Sequence, residues 1–178
     1  MDAYERYGRA LLRKAERMVG NREDARDILQ GLFADLCKKG GSPGDQPVDA
    51  NDTNDAPMDL PYLYRAVTNR CLSFLRDESN RARLLQRHDE ALAPPPRTAC
   101  DERAIGHDLL VKLVARLAPG EGEVLAYRYV DDMTQEEIAE LLGLSRKTIG
   151  KRLERIREAV REIAAADQPG ALRAGVKQ

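Results

Sequence analysis

Residues 134–161 constrain the fold of this chain more than any other stretch, because they predict two helices joined by a tight turn. Thr134 and Glu137 have the T-x-x-E spacing of a capping box, which marks where the first helix begins. Gly143 is expected to end that helix in the left-handed conformation. Ser145 can then cap the second helix with its hydroxyl. The stretch therefore predicts a helix-turn-helix.

Apolar residues recur at helical spacing in both of these helices. They are Ile138, Leu141 and Leu142 in the first and Ile149, Leu153, Ile156 and Val160 in the second. The first helix and its lead-in carry acidic residues and no cation, whereas the second is strongly basic. A basic second helix fits the major groove of duplex DNA. The alternative is a plain helical hairpin with a solvated charged face, and the separation of charge between the helices argues against it.

Composition and cysteine usage bound the class of protein. The chain has 178 residues, a net charge of −1 and no Trp, and it is rich in helix-forming residues. No apolar run approaches the roughly 20 residues of a membrane span, and the charged N-terminus is unlike a signal peptide. Cys37, Cys71 and Cys100 are odd in number and widely spaced, which favours a reducing cytoplasm. We expect an all-α cytoplasmic protein without membrane insertion.

Two further amphipathic helices are predicted at the N-terminus, over 2–19 and about 22–37. The first is expected to turn its basic residues, Lys14 included, away from its apolar side. Asn21 can cap the second. The polar face of the second helix holds Glu23, Asp24, Asp27 and Gln30. This face is either an ordinary solvated surface or a docking surface for a basic or amide-rich partner helix.

A third N-terminal helix is predicted from Leu60 to about Arg76, with apolar residues that can share a core with the first two. The residues left for its other faces are Tyr62, Tyr64, Arg65, Asn69, Arg70 and Ser73. Rings that stack on unpaired bases, amides and guanidinium groups suit single-stranded DNA. On this stretch alone, tyrosines packed in a helical core explain the pattern about equally well.

Composition also predicts where the chain divides. Residues 38–59 should form an acidic loop, and 84–103 a linker containing a proline run that cannot join a helix. Helices are predicted over 104–117 and 121–130, with a break at Pro119-Gly120. The predicted organisation is two small helical domains, 1–83 and 104–166, joined by a flexible linker and followed by a tail at 167–178.

Three stretches together resemble the bacterial RNA polymerase sigma factors of the extracytoplasmic-function type. They are YGRALLRKAERMVGNREDARDILQGLF, PYLYRAVTNRCLSFLR and LAPGEGEVLAYRYVDDMTQEEIAELLGLSRKTIGKRLERIREAV. They fall within residues 4–36, 60–83 and 105–163. The last is shared by many regulators, whereas the three in this order and spacing are specific.

The resemblance implies a function and a set of contacts. The first domain would bind the clamp helices of the largest polymerase subunit through Glu23, Asp24, Asp27 and Gln30. It would recognise and melt the minus-ten element through Tyr62, Tyr64, Arg65, Asn69, Arg70 and Ser73. The second domain would contact the polymerase flap and recognise the minus-thirty-five element through Ser145, Arg146, Lys147, Thr148, Lys151, Arg152 and Arg155. The family also implies an anti-sigma partner, a monomer when free, and no catalysis, metal or cofactor.

Three features depart from the family pattern. The loop at 38–59 is longer and more acidic than usual, Tyr62 occupies a position that is usually Trp, and Gly150 lies inside the second helix of the helix-turn-helix. Two other classes of protein would also contain a helix-turn-helix. One is a stand-alone dimeric helix-turn-helix regulator, which would bind palindromic sites. The other is an interaction protein without salt-dependent DNA affinity.

Overall fold

The computed structural model describes residues 2–38, 60–88 and 102–166, which form helices and the turns between them with no strand. The elements are α1 Asp2–Val19, α2 Arg22–Lys38, α3 Leu60–His88, α4 Glu102–Arg116, α5 Pro119–Leu125, a π-helical turn Ala126–Val130, α6 Gln135–Leu142 and α7 Arg146–Ala166. None of these helices is long and apolar enough to cross a membrane. Residues 39–59 of the predicted acidic loop, residues 89–101 of the predicted linker and the tail at 167–178 lie outside the described residues.

Contacts divide the chain into two compact units, Met1–His107 and Asp108–Gln178. The predicted all-helical, two-domain fold class is confirmed. The division falls inside α4, and the domain bounds given above remain a prediction.

In the first unit, α1, α2 and α3 pack against one another in pairs. Their buried apolar side chains form a single core, as the helical spacing predicts. They are Leu11, Ala15, Met18 and Val19 from α1, Ala25, Leu29, Leu32 and Leu36 from α2, and Leu63, Val67, Cys71, Leu72 and Leu75 from α3. Gly20, at φ 71°, ends α1, and the Asn21 Oδ1 atom accepts the Glu23 N–H at 2.9 Å to cap α2.

The prediction for Lys14 was wrong. Its side chain is only 1% exposed, and its Nζ atom lies 4.0 Å from the centre of the Tyr64 ring. Lys14 follows Leu11 by three residues and precedes Met18 by four, so it belongs to the buried stripe of α1. The ring face stabilises the ammonium group there, because an aromatic ring presents negative charge on its face.

Helix α3 continues to His88, beyond the end predicted at about Arg76 and into residues 84–88, which were predicted to belong to the linker. No glycine or proline interrupts residues 77–88, so nothing in the local sequence ends the helix. Leu84 and Leu85 are 53% and 58% exposed. This last part of α3 therefore follows from local propensity and buries few of its own apolar side chains.

The second unit holds the helix-turn-helix. Helices α5 and α6 both pack on α7. Its buried apolar residues are Leu113, Val114, Leu117, Val124, Leu125, Ala126, Tyr127, Ile138, Ile149, Leu153, Ile156 and Ile163. The predicted break between helices is present but falls at 117–118, so that Pro119 and Gly120 begin α5. The predicted helix over 121–130 is π-helical at residues 126–130. Proline suits the first turn of a helix because its missing N–H would have no partner there.

We predict that the free energy of unfolding falls as the pH rises from about 9 toward 12. Burial raises the pKa of the Cys71 thiol from 9.0 to about 12, and the Lys14 ammonium lowers it in part. In that window the unfolded thiol has lost its proton and the folded one has kept it. Stability therefore declines by up to about 1.4 kcal/mol per pH unit.

Denaturant melts of the parent and of Cys71→Ala across this pH range measure the effect. The difference in slope between the two chains isolates the buried thiol from other groups that titrate at high pH. Cys37 is exposed, so Cys37→Ala should keep the parent slope. Equal slopes for parent and Cys71→Ala would contradict the prediction.

Candidate functional site

The capping predicted for the helix-turn-helix is confirmed. The Thr134 Oγ1 atom accepts the Glu137 N–H at 3.2 Å, and the Glu137 Oε2 atom accepts the Thr134 N–H at 2.7 Å. The bond from the Thr134 N–H, and after it the bond that the Thr134 hydroxyl donates to the same Oε2 atom at 2.8 Å, lower the pKa of the Glu137 carboxyl. Gly143 ends α6 at φ 63°, and the Ser145 Oγ atom accepts the Thr148 N–H at 3.1 Å.

One buried stripe fixes how α7 is turned in its unit. Ile149, Leu153 and Ile156 are at most 1% exposed, and Ile163 continues the stripe at 2%. Ile163 was not among the apolar residues predicted for this stripe, although its spacing from Ile156 is helical. The opposite face of α7, the predicted recognition helix, is therefore turned to the outside of the unit.

The cationic part of that outer face is short. Lys147 and Lys151 are exposed one turn apart, opposite the buried stripe. Glu154 and Glu158 are exposed at the next positions of the same face. Carboxylates would repel DNA phosphates, so along this line of α7 the surface suited to DNA lies at the start of the helix.

Two of the predicted DNA-contacting arginines also bind within the protein. The Arg152 Nη1 atom donates to the Gly120 carbonyl at 3.1 Å. The Arg155 Nη1 atom lies 3.1 Å from the Glu121 Oε1 atom, and the Glu121 side chain is only 12% exposed. Both arginines therefore help to hold the start of α5 against α7.

The other predicted residues of this set lie at the start of the recognition helix. Ser145 and Arg146 are exposed and Thr148 is partly buried. The Arg146 Nε atom lies 2.9 Å from the Glu136 Oε1 atom, with both side chains more than half exposed at 71% and 59%. An exposed pair of this kind contributes little to stability, so Arg146 can exchange Glu136 for another anion at small cost.

Gly150 lies inside the recognition helix. Its φ is not positive, and a Cβ there would meet a single atom within 4 Å, Gln135 Oε1 at 4.0 Å. Glycine inside a helix costs about 1 kcal/mol relative to alanine. The free protein therefore bears that cost without a steric or conformational need for glycine.

In the first unit, the polar residues predicted on one face of α2 reach the protein surface. Glu23, Asp27 and Gln30 are exposed and Asp24 is partly buried. Glu23, Asp27 and Gln30 follow i, i+4, i+7 spacing on the side opposite the buried leucines. They form an exposed polar face with two carboxylates and one amide.

The six residues predicted on α3 do not share one surface. Tyr62, Arg65, Asn69 and Ser73 follow i, i+3, i+7, i+11 spacing and lie along one face. Tyr64 instead has the Lys14 ammonium over its ring, and the Arg70 guanidinium is paired with Asp35 on α2. Within the described residues, the side chains brought together as a candidate nucleic-acid surface are the first four, which we call the Tyr62–Ser73 face.

Comparisons with known proteins identify the family. A family model described as sigma-70, region 4 matches residues 107–160. The chain is 31% identical over 158 residues to the RNA polymerase sigma-E factor of Streptomyces coelicolor, covering 88% of this chain and 81% of that one. The chain belongs to the RNA polymerase sigma factors. It is of the extracytoplasmic-function type and directs transcription initiation, as predicted from the three sequence stretches.

Two solved structures are similar to this sigma factor, and each is less than 25% identical to it in sequence. One is CnrH in complex with the cytosolic domain of CnrY, with 23% identity, a TM-score of 0.47, and coverage of 92% of this chain and 86% of that chain. The other is the sigma factor RpoE in complex with the anti-sigma factor NepR from Bartonella quintana, with 18% identity, a TM-score of 0.42, and coverage of 89% and 91%. In the described part of this sigma factor, no three His, Cys, Asp or Glu side chains are grouped to hold a metal ion.

Proposed function

We propose that this sigma factor binds core RNA polymerase through α2 and promoter DNA through α3 and α7. The exposed face of α2 supports the first contact, because Glu23, Asp27 and Gln30 can pair with the cations and amides of the clamp helices of the largest subunit. Core polymerase would supply all catalysis, and this chain would select the promoter. Both would act in the cytoplasm.

The Tyr62–Ser73 face is proposed to bind the minus-ten element. Tyr62 is partly exposed and Asn69 is exposed, so a ring and an amide lie on the same side of α3. A flipped base costs a few kcal/mol to extrude from the duplex. Stacking on Tyr62 and hydrogen bonds with Asn69 would offset that cost, while Arg65 binds phosphate.

The start of α7 is proposed to bind the minus-thirty-five element in the major groove. The observation that carries this proposal is the short cationic surface around Lys147 and Lys151, which is bounded by Glu154 and Glu158. A recognition helix that enters the groove with its first residues needs cations there and not farther along. We also propose that the second unit contacts the polymerase flap.

An anti-sigma factor is a further proposed partner. The α2 face and the start of α7 are both exposed, so another protein can cover them. Covering the α2 face would block polymerase binding, and covering the start of α7 would block promoter binding. Such an inhibitor would keep the sigma factor, which we propose is monomeric when free, inactive until a signal releases it.

The test of the proposed function is transcription in vitro with purified core polymerase and a genomic DNA library. Start sites that depend on this chain should share two asymmetric elements about two helical turns apart. If no template is transcribed, and the chain instead dimerises on palindromic duplexes, the proposal is wrong and a stand-alone regulator takes its place.

We predict that Lys151→Ala and Arg152→Ala affect different properties. Lys151 is exposed, so its loss should weaken holoenzyme binding to the minus-thirty-five element and reduce the slope of log K against log salt by about 0.9. Arg152 donates to the Gly120 carbonyl, so its loss should lower the free energy of unfolding by about 1.5 kcal/mol.

Binding titrations at several salt concentrations and denaturant melts separate the two variants. Glu154→Gln is the matched control on the same outer face, because it removes a charge without removing a cation. A Lys151→Ala holoenzyme with the parent salt slope would exclude Lys151 from the DNA interface.

A further inference from the structure

The glycines of this chain differ in whether the protein itself explains them. Gly20 and Gly143 have positive φ, which favours glycine. A Cβ on Gly120 would lie 2.9 Å from the Arg152 Nη1 atom, so a side chain there would displace the guanidinium that donates to the Gly120 carbonyl. Gly106 and Gly150 have neither explanation, and of the two only Gly150 lies on the helix proposed to enter the major groove.

The position of Gly150 indicates an external reason. It follows Arg146 by four residues and Lys147 by three, so it shares their part of the helix surface. It precedes Glu154, where the surface becomes acidic. A glycine in this place lets another molecule approach the backbone closely, and the molecule proposed for this surface is duplex DNA.

Gln135 completes the site from the neighbouring helix. It is the first residue of α6, and its Oε1 atom is 4.0 Å from the place of a Gly150 Cβ. Within the described residues its side-chain amide forms no hydrogen bond, so both its donor and its acceptor are available. A glutamine amide can bind the N6 and N7 atoms of adenine in the major groove.

We propose that Gly150 and Gln135 form a notch that binds one A·T base pair of the minus-thirty-five element. The Gln135 amide hydrogen-bonds the adenine edge, and the thymine methyl occupies the space that a Cβ at Gly150 would take. The inference rests on the proposed function of α7 and adds a sequence-determining contact to it.

The experiment uses holoenzyme reconstituted from the full chain with core polymerase, on promoters recovered by transcription in vitro. The variants are Gly150→Ala and Gln135→Ala. Gly106→Ala is the matched control, because Gly106 is also helical and exposed and a Cβ there would meet nothing within 4 Å. Affinity is measured on duplexes in which each pair of the minus-thirty-five element is replaced in turn.

We expect Gly150→Ala to bind the parent element about tenfold more weakly, with the loss concentrated at one A·T pair. Gln135→Ala should lose its preference for A·T at that same pair, and Gly106→Ala should bind like the parent. Gly150→Ala and Gly106→Ala should each raise the melting temperature by about 4 °C, since alanine is the better helix former. Weaker binding by a more stable protein cannot come from misfolding.

Two results would overturn the inference while leaving the proposed function intact. One is parent-like affinity of Gly150→Ala on every duplex, and the other is a loss spread evenly over all substituted positions. If the parent holoenzyme shows no preference for any upstream sequence, the proposed function of α7 and this inference both fail.

Discussion

Holoenzyme formation is expected to weaken by about 100-fold or more when Asp24→Arg and Asp27→Arg are combined. Asp27 is exposed and Asp24 only partly buried on α2, and neither forms an ion pair or hydrogen bond within the described residues. Reversing both charges would turn attraction into repulsion against a basic partner helix. A fluorescence titration of labelled chain with core polymerase measures the loss.

The control for this variant is Glu5→Arg combined with Asp77→Arg. Both are exposed acidic residues of the same unit, on α1 and α3, so the change in net charge is identical. Circular dichroism should show the parent helix content for both double variants. If the control loses as much affinity as the α2 variant, the effect is one of overall charge, and α2 is not the polymerase-binding face.

The helix-turn-helix could be predicted residue by residue because its geometry is encoded locally. The capping bonds of Thr134 with Glu137 and of Ser145 with Thr148 each join residues three apart. Gly143 ends α6 through its own backbone preference. Short-range hydrogen bonds and glycine conformation depend little on the rest of the fold, so the sequence pattern was sufficient.

The partners of individual charged side chains could not be predicted, because they come from distant parts of the chain. Arg152 and Gly120 are 32 residues apart, Arg155 and Glu121 are 34 apart, and Arg70 and Asp35 are 35 apart. A helical pattern places a residue on a face but does not say which element packs beside it.

Lys14 shows the same limit in the core. Its spacing fits the buried stripe of α1, and its charge argued for the surface. The compensating group is the Tyr64 ring on another helix, which no local pattern connects to it. The role predicted for Tyr64 at the minus-ten element has to accommodate a ring with one face already against the Lys14 ammonium.

Promoter opening is expected to fall by about 100-fold when Tyr62→Ala and Asn69→Ala are combined, while holoenzyme still forms. Both residues lie on the Tyr62–Ser73 face of α3, whereas the proposed polymerase-binding residues lie on α2. Removing the ring costs stacking on the extruded base, and removing the amide costs contacts with its edge. Permanganate footprinting of thymines near the start site measures the opened fraction.

The matched control is Tyr129→Ala, which removes a ring that is 54% exposed from a position outside this face. A template with a preformed bubble supplies the unpaired bases directly, so the opening cost of a few kcal/mol no longer applies. The defect of Tyr62→Ala with Asn69→Ala should therefore shrink on the bubble without vanishing, because the stacking contact is still missing. A defect of equal size on both templates would contradict a role in melting. Tyr62→Trp has a larger stacking surface, so it should open the duplex at least as well as the parent.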